Sequence, residues 1–389
     1  MSFVALRRSV FTAAAAVMLA ASAQAAPSIE TAAKQALVLD FDTGTILLEK
    51  NADDLMPPSS MSKLMTAYMA FEAIKAGRVK MDDMLPVSEK AWRMQGSKMF
   101  VHVGDRVKIE DLLKGIIVQS GNDACIVVAE GLAGSEEAFA EKATKRAREL
   151  GLSNSTFRNA SGWPAEGHLM TARDLSTLAK RIIIDFPEFY PFYSIRNFTY
   201  NGITQGNRNP LLYKDIGADG LKTGHTEIAG YGLTASAKRD GRRLVLVVNG
   251  LGSIKQRGEE TERLLDWGFR EFSNYMLFDA GQTVGDAETW LGSSETVPLV
   301  AGKRLLATLP RTARDGMVVK VVYNGPIAAP INRGDEIAKL IVDVPGQPTQ
   351  ELPLLAGTDV DKLGFFGKIG AAVKYLLTGG VSKAKAAGV

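Results

Sequence analysis

Ser60 and Lys63 stand three positions apart where a helix is expected to begin, a spacing that brings a hydroxyl and an amine onto one helical face. Two prolines, Pro57 and Pro58, and the small residues Ser59 and Ser60 precede an apolar series at helical spacing: Leu64, Met65, Tyr68 and Met69. A serine hydroxyl becomes a nucleophile when a base takes its proton, and a desolvated lysine can be that base. A helix N-terminus adds backbone N–H groups that favour developing negative charge. Taken alone, the pair has a plainer reading as a helix cap beside a solvated lysine. The same S-x-x-K spacing recurs at Ser382 and Lys385, in a tail with no plausible pocket.

Two further groups change the weight of that pair. Ser120-Gly121-Asn122 is the one S-x-N of the chain, set between two expected helices so that a hydroxyl and an amide share one side of a cleft. Lys222-Thr223-Gly224 is the one K-T-G. His225-Thr226 follow, and the whole reads as the beginning of an edge strand in which Gly224 leaves room for close approach to the backbone. In isolation the first would be a helix N-cap and the second a strand edge. Together and in chain order the three motifs are the signature of serine acyl transferases of the penicillin-binding and β-lactamase type.

Other chemistries find little support. Three dispersed histidines (His102, His168, His225) give no helical zinc pair, so no metal site is expected. No G-x-S-x-G elbow, P-loop or dinucleotide fingerprint is present, and no cofactor is expected. Residues 1–25 read as a secretory leader: Arg7 and Arg8, an uncharged apolar run, then Ala23-Gln24-Ala25 as the cleavage site. One cysteine, Cys125, in an apolar run excludes an internal disulfide and reads as a small buried hydrophobe. The two leader arginines supply +2 of the net +3, and residues 362–389 hold five lysines and no acid, which leaves residues 26–361 at −4. The basic charge therefore gathers at the C-terminal end.

The elements that must position these groups follow from periodicity. Residues 36–49 read as a hairpin around Asp42-Thr43-Gly44. Helices are expected from the Ser60 region, over 109–117, 124–132 and 136–150, and from Thr171 to 184, with strands over 230–237 and 243–249 and a closing helix over 259–272. A hairpin at the start, strands at the end and helices between predict an α+β domain, one antiparallel sheet covered on both faces. Short strand-like runs at 283–284, 297–299, 304–309, 317–322 and 336–342, with Gly/Pro turns, predict a separate small all-β domain. The division expected is a leader over 1–25, an acyl-transfer domain over 26–278, a β-rich domain over 279–356 and a tail over 357–389. In the tail, Leu363, Phe366, Ile369, Val373, Leu376 and Leu377 fall on one helical side flanked by Lys368 and Lys374. Too short to span a bilayer, it suits a position in the headgroup plane.

The chain resembles the low-molecular-mass penicillin-binding proteins, specifically the serine-type D-alanyl-D-alanine carboxypeptidases. The likeness covers nearly all of residues 36–378. It is carried by residues 57–63, by Lys114-Gly115-Ile116-Ile117-Val118-Gln119-Ser120-Gly121-Asn122-Asp123-Ala124-Cys125 and by Asp219-Gly220-Leu221-Lys222-Thr223-Gly224-His225-Thr226. Ala229-Gly230-Tyr231, Leu264-Leu265-Asp266-Trp267-Gly268-Phe269-Arg270 and Phe365-Phe366-Gly367-Lys368-Ile369 extend it. The resemblance implies that Ser60 attacks the carbonyl between two terminal D-alanines of a peptidoglycan stem peptide, with Lys63 as base. It implies that Ser120 bridges Lys63 and Lys222 and passes the proton to the leaving amine, while Asn122 holds the substrate amide. The N–H groups of Ser60 and His225 would form the oxyanion hole, and Lys222, Thr223 and Arg257 would hold the free carboxylate. Arg257 is expected in a polar loop beyond the strand. β-Lactams would acylate Ser60 and leave slowly, and the C-terminal helix would hold the enzyme on the periplasmic face of the inner membrane. No partner of nucleic-acid type is implied. His168 lies in a loop that borders the cleft and is assigned no catalytic role. The rival readings are a β-lactamase, disfavoured by S-G-N in place of S-D-N and by the want of an E-x-x-L-N segment, an endopeptidase cutting crosslinks, and a non-catalytic wall-binding protein.

Overall fold

A computed structural model describes residues 28–364 and Gly367. The leader and the expected helix of the tail, apart from Leu363, Gly364 and Gly367, lie outside the described residues.

The Lys222 motif lies on the edge of a five-stranded antiparallel sheet. Its order is Ile46–Lys50, Gln35–Asp40, Arg242–Leu251, Gly230–Arg239, Ala218–Thr226. Alternation along Gln35–Asp40 divides the core. Leu37 and Leu39 face a block of helices, while Ala36 and Val38 face the helix Ile254–Glu271. The sheet is thus covered on both sides, as the pattern of elements predicts. Within the block, the helices Lys63–Lys75 and Asn122–Ala133 are buried on nearly every side, from Leu64 to Phe71 and from Ala124 to Ala129. Helices that are apolar all round belong in a core. The amphipathic helices Glu136–Glu149 and Ala172–Asp185 pack outside them, each started by a hydroxyl cap: Ser135 accepts from the Ala138 N–H and Thr171 from the Asp174 N–H.

Three departures from the expected elements bear on the site. The helix expected over 109–117 is α-helical only over Ile109–Lys114 and then widens into a π-turn, Gly115–Gln119. That turn delivers Ser120 in the left-handed conformation, φ 61° and ψ 32°. Gly115 sits so tightly against the Met99 side chain that an added Cβ would collide with its sulfur. Second, the last helix begins at Ile254, capped by Ser253, and not at residue 259. Arg257 therefore lies in the helix's first turns and not in a loop. The inward face of those turns carries Arg257, Glu260 and Thr261, so hydrophobic periodicity is blind to it. Third, a hairpin of Asn197–Tyr200 and Ile203–Gly206 was not anticipated, although its Asn201-Gly202 turn, with φ of 47° and 74°, is a strong hairpin signal.

Beyond the helix the chain turns to β-structure. Phe272–Phe278 pairs with Leu305–Pro310, and a six-stranded sheet runs in the order Val318–Val322, Glu336–Asp343, Gln350–Ala356, Thr296–Ala301, Thr283–Trp290, Ile327–Ala328. Val297, Leu299, Leu340 and Leu354 fill its core. The five expected runs are strands, and Gln350–Ala356 is a further one that Pro353 disguises. A polar joint connects the two parts. The buried Asp40 carboxylate accepts from Arg242 Nε at 2.9 Å and from Asn274 Nδ2 at 3.2 Å, and Asn274 in turn accepts from Thr308 Oγ1 at 2.8 Å.

Candidate active site

Ser60 lies in a 3-10 turn, Ser59–Ser62, that leads directly into the helix Lys63–Lys75. With three residues per turn, side chains at i and i+3 eclipse, so Lys63 is carried to its serine by local geometry. Lys63 Nζ donates to Ser60 Oγ at 2.8 Å, to Asn122 Oδ1 at 2.7 Å and to the Ser161 carbonyl oxygen. Three acceptors satisfy its three donors, and none is a carboxylate. The amine is 1% exposed, and burial lowers its pKa to about 8, with Cys125 and Asp123 opposing and Arg208 adding to the shift. A tenth or so of the amine is then neutral at pH 7, roughly three hundredfold more than for an exposed lysine. Cys125 beside it is buried with its thiol pushed up to about 12, so it stays a neutral hydrophobe.

The middle motif is set by the π-turn and the following helix. Ser120 Oγ accepts from Lys222 Nζ at 3.0 Å. Among the described residues Ser120 makes no hydrogen bond to Lys63, and the contact to that amine comes from Asn122. One hydrogen of the Asn122 amide goes to the Gln95 carbonyl at 2.8 Å, leaving the second free. Asp123, fully buried, accepts from the N–H groups of Met99 and Phe100 at 2.8 Å each and from Val101 at 3.3 Å. It pins the loop that meets Asn122. The unanticipated hairpin braces the same loop, with Gln205 Nε2 donating to the Lys98 carbonyl at 2.9 Å.

Lys222, Thr223, Gly224 and His225 lie in the edge strand Ala218–Thr226. Lys222 is 3% exposed, and burial, then the charge of Lys63, holds its pKa well below the usual lysine range. Gly224 is required by close approach: an added Cβ would stand 2.9 Å from the Pro58 carbonyl oxygen and 3.2 Å from the Ser59 Cβ. The strand therefore lies against the serine turn. His225 is exposed, its ring stacked on Tyr231 with centroids 3.9 Å apart. On the other side of the turn, Gly162, at φ 76°, packs so tightly on the Ser59 carbonyl that no side chain fits. Asn159 Oδ1 orders that loop by accepting from the N–H groups of Ser161, Gly162 and Trp163.

Arg257 is 5% exposed, donates to the Arg208 carbonyl at 3.3 Å and lies 5.9 Å from the Tyr231 ring. Burial lowers its pKa to about 10, leaving it charged at neutral pH. Arg208, which the sequence reading missed, joins it; the positive fields of Arg208 and Arg257 both bear on Lys222. No motif marks Arg208, which is placed by the hairpin that precedes it. Lys63, Lys222, Arg208 and Arg257 form no ion pair among the described residues, so the cleft is cationic without an internal counter-ion. His168 is buried, its Nδ1 accepting from the Arg158 N–H at 3.1 Å, so its proton sits on Nε2. Burial lowers its pKa to about 4 and keeps it neutral, and it bonds to none of the groups above. Among the described residues no cluster of His, Cys, Asp and Glu is suited to a metal.

Comparison with known proteins shows the family of the chain. The D-alanyl-D-alanine carboxypeptidase family matches residues 20–252, and the C-terminal domain of penicillin-binding protein 5 matches residues 272–362. The D-alanyl-D-alanine carboxypeptidase DacC of Escherichia coli (strain K12) is 38% identical over 352 residues, 88% of each chain. The crystal structure of penicillin binding protein 5 from Haemophilus influenzae superimposes with a TM-score of 0.82 at 34% identity, covering 86% of this chain and 99% of that one. Penicillin-binding protein D2 from Listeria monocytogenes, solved in its ampicillin-bound form, matches 62% of this chain and 99% of its own, with a TM-score of 0.58 at 32% identity. The chain belongs to the serine D-alanyl-D-alanine carboxypeptidase family.

Proposed function

We propose that the chain releases the terminal D-alanine of peptidoglycan pentapeptides through an acyl-enzyme on Ser60. The observation that carries the reading is the Lys63 amine: buried, without an acid partner, 2.8 Å from the Ser60 hydroxyl and with its pKa brought down to about 8. In its neutral form Lys63 takes the proton of Ser60 as Oγ attacks the carbonyl carbon, and the oxyanion is met by the N–H groups of Ser60 and His225. Asn122 holds Lys63 in line and offers its free amide hydrogen to the substrate. As the C–N bond breaks, the proton passes to the leaving amine by way of Ser120, which Lys222 orients. The departing D-alanine carries a carboxylate, and Lys222, Thr223 and Arg257 are its receptors, with Arg208 adding positive field. Water then hydrolyses the ester. A β-lactam acylates the same hydroxyl and hydrolyses slowly.

The test is D-alanine release from an acetyl-lysyl-D-Ala-D-Ala peptide by wild type and by Ser60→Ala. The variant is expected at background, and equal rates would exclude Ser60 as nucleophile.

We further propose the division 1–25, 26–278, 279–356 and 357–389, with Phe272–Phe278 as the connecting element. Among the described residues no helix is long and apolar enough to cross a membrane. The leader pattern and the lysine-rich tail support a periplasmic enzyme lying peripherally on the inner membrane's outer face. Cosedimentation of the full chain with anionic vesicles, lost on truncation after residue 356, is the expected result. Undiminished binding by the truncated chain would contradict it.

A further inference from the structure

A cavity of about 240 Å³ lies at the far end of the two helices that begin with catalytic side chains. Lys63 opens the helix Lys63–Lys75 and Asn122 the helix Asn122–Ala133. Both run down to this cavity, the first bordering it with Glu72 and Ala73, the second with Leu132 and Ala133. At 1.5 Å per residue it stands about 15 Å from the catalytic groups. The helix Glu136–Glu149 forms its third side.

The floor is apolar and incompletely covered. Ala73 and Phe139 are buried, whereas Met69, Leu132 and Ala133 are only half-buried. The rim is charged, and its charges do not balance. Arg146 takes both acids of the rim, pairing with Glu72 at 2.7 Å and with Glu149 at 2.9 Å. That leaves Arg78, Lys142 and Lys145, whose side chains make no ion pair or hydrogen bond among the described residues. They come from two elements: Arg78 follows the helix Lys63–Lys75, while Lys142 and Lys145 stand about one turn apart on the helix Glu136–Glu149. Lone exposed lysines are ordinary. Three unpaired cations around one concavity are not, in a chain whose residues 26–361 carry −4 overall. Like charges gathered together raise one another's energy, and a bound anion relieves that repulsion. None of these groups has a task in the chemistry above.

The excess of charge selects the kind of anion. A single carboxylate would neutralise only one of the three cations. A phosphate monoester, with about two negative charges and three acceptor oxygens, is the better complement. The volume admits a body the size of one ring, which would cover the open apolar surface of Met69 and Leu132.

We propose that this cavity is a binding site for a small phosphate monoester with an apolar body, separate from the cleft at Ser60. Arg78, Lys142 and Lys145 hold the phosphate, and Met69 and Leu132 receive the body.

Isothermal titration calorimetry on the full chain tests this with phenyl phosphate as the probe and inorganic phosphate, benzoate and phenol as controls. Phenyl phosphate is expected to bind about tenfold more tightly than inorganic phosphate, through its covered ring. It should exceed benzoate and phenol by about tenfold or more, through its second charge and its acceptors. The double variant Lys142→Ala/Lys145→Ala should weaken phenyl phosphate about tenfold and leave D-alanine release unchanged. Both lysines are exposed, so their truncation leaves the core intact. Because the cleft is itself cationic, the titration is repeated in Arg257→Ala, where the affinity should be that of wild type. Binding lost in Arg257→Ala places the probe in the cleft and overturns the proposal. Undiminished affinity in the double variant overturns it too, as does inorganic phosphate binding as tightly as phenyl phosphate. No saturable binding of phenyl phosphate by wild type at millimolar concentrations also overturns it.

Discussion

The cleft and the β-rich part handle charge in opposite ways. Around Ser60, three cationic side chains (Lys63, Lys222 and Arg257) are at least nine-tenths buried and none has a carboxylate partner. From Phe272 onward, Thr308 is the one buried polar residue among those described, and the charged groups pair at the surface, as in Lys320–Asp343 and Lys339–Glu351. Desolvated, unpaired cations cost stability, and a fold keeps them where an anion or a proton transfer will use them. The β-rich part has the ordinary economy of a small sheet domain, with apolar residues inside and solvent-screened pairs outside. The difference separates a region shaped by chemistry from one shaped by folding alone.

The largest expected effect breaks the contrast at its centre. Lys63→Ala should lower acylation about 10³-fold or more, and Lys63→Arg should do no better, because arginine does not give up its proton. Stopped-flow acylation by a chromogenic β-lactam measures both. In wild type the same assay should show the rate rising with pH, about tenfold per unit below 8, and levelling above it. That sign follows from a pKa lowered by burial: the active, neutral amine is the high-pH form. A flat profile between pH 6 and 8 would remove Lys63 as the base.

Gly224→Val comes next, with a loss of about 10²-fold in kcat/KM, since its Cβ forces the edge strand away from the Pro58 carbonyl and misplaces the substrate. Unaltered thermal stability beside that loss would localise the defect to positioning. Arg257→Ala should raise KM about tenfold to hundredfold for a peptide with a free carboxylate, and far less for its C-terminal amide, the difference being one charge-assisted contact. At the small end, Lys339→Ala removes an exposed pair of the β-rich part and should leave both Tm and D-alanine release unchanged. A clear fall in Tm would show that the surface pairs there carry more than their exposure suggests.

These residues also show what the sequence could reveal. Ser60, Lys63, Ser120, Asn122 and Lys222 stand out in the sequence because the proposed acyl transfer restricts residue type and spacing at once, and the strands Gly230–Arg239 and Arg242–Leu251 stand out as short apolar runs, buried along their middles on both faces of the sheet. Arg257 was legible as a residue but not as part of a helix, because that helix begins with a face of buried polar groups. Arg208 was not legible at all: a lone arginine gains meaning only from the hairpin that sets it beside the cleft. The link from Lys63 to Asn122 likewise depends on the π-turn at Gly115–Gln119, a local widening that no periodicity announces.

The most direct test of the account is covalent. Incubating the full chain with benzylpenicillin and mapping the adduct by mass spectrometry should give one penicilloyl group, on the peptide containing Ser60, and none in Ser60→Ala. An adduct on another residue, or an undiminished adduct in Ser60→Ala, would contradict the account at its root.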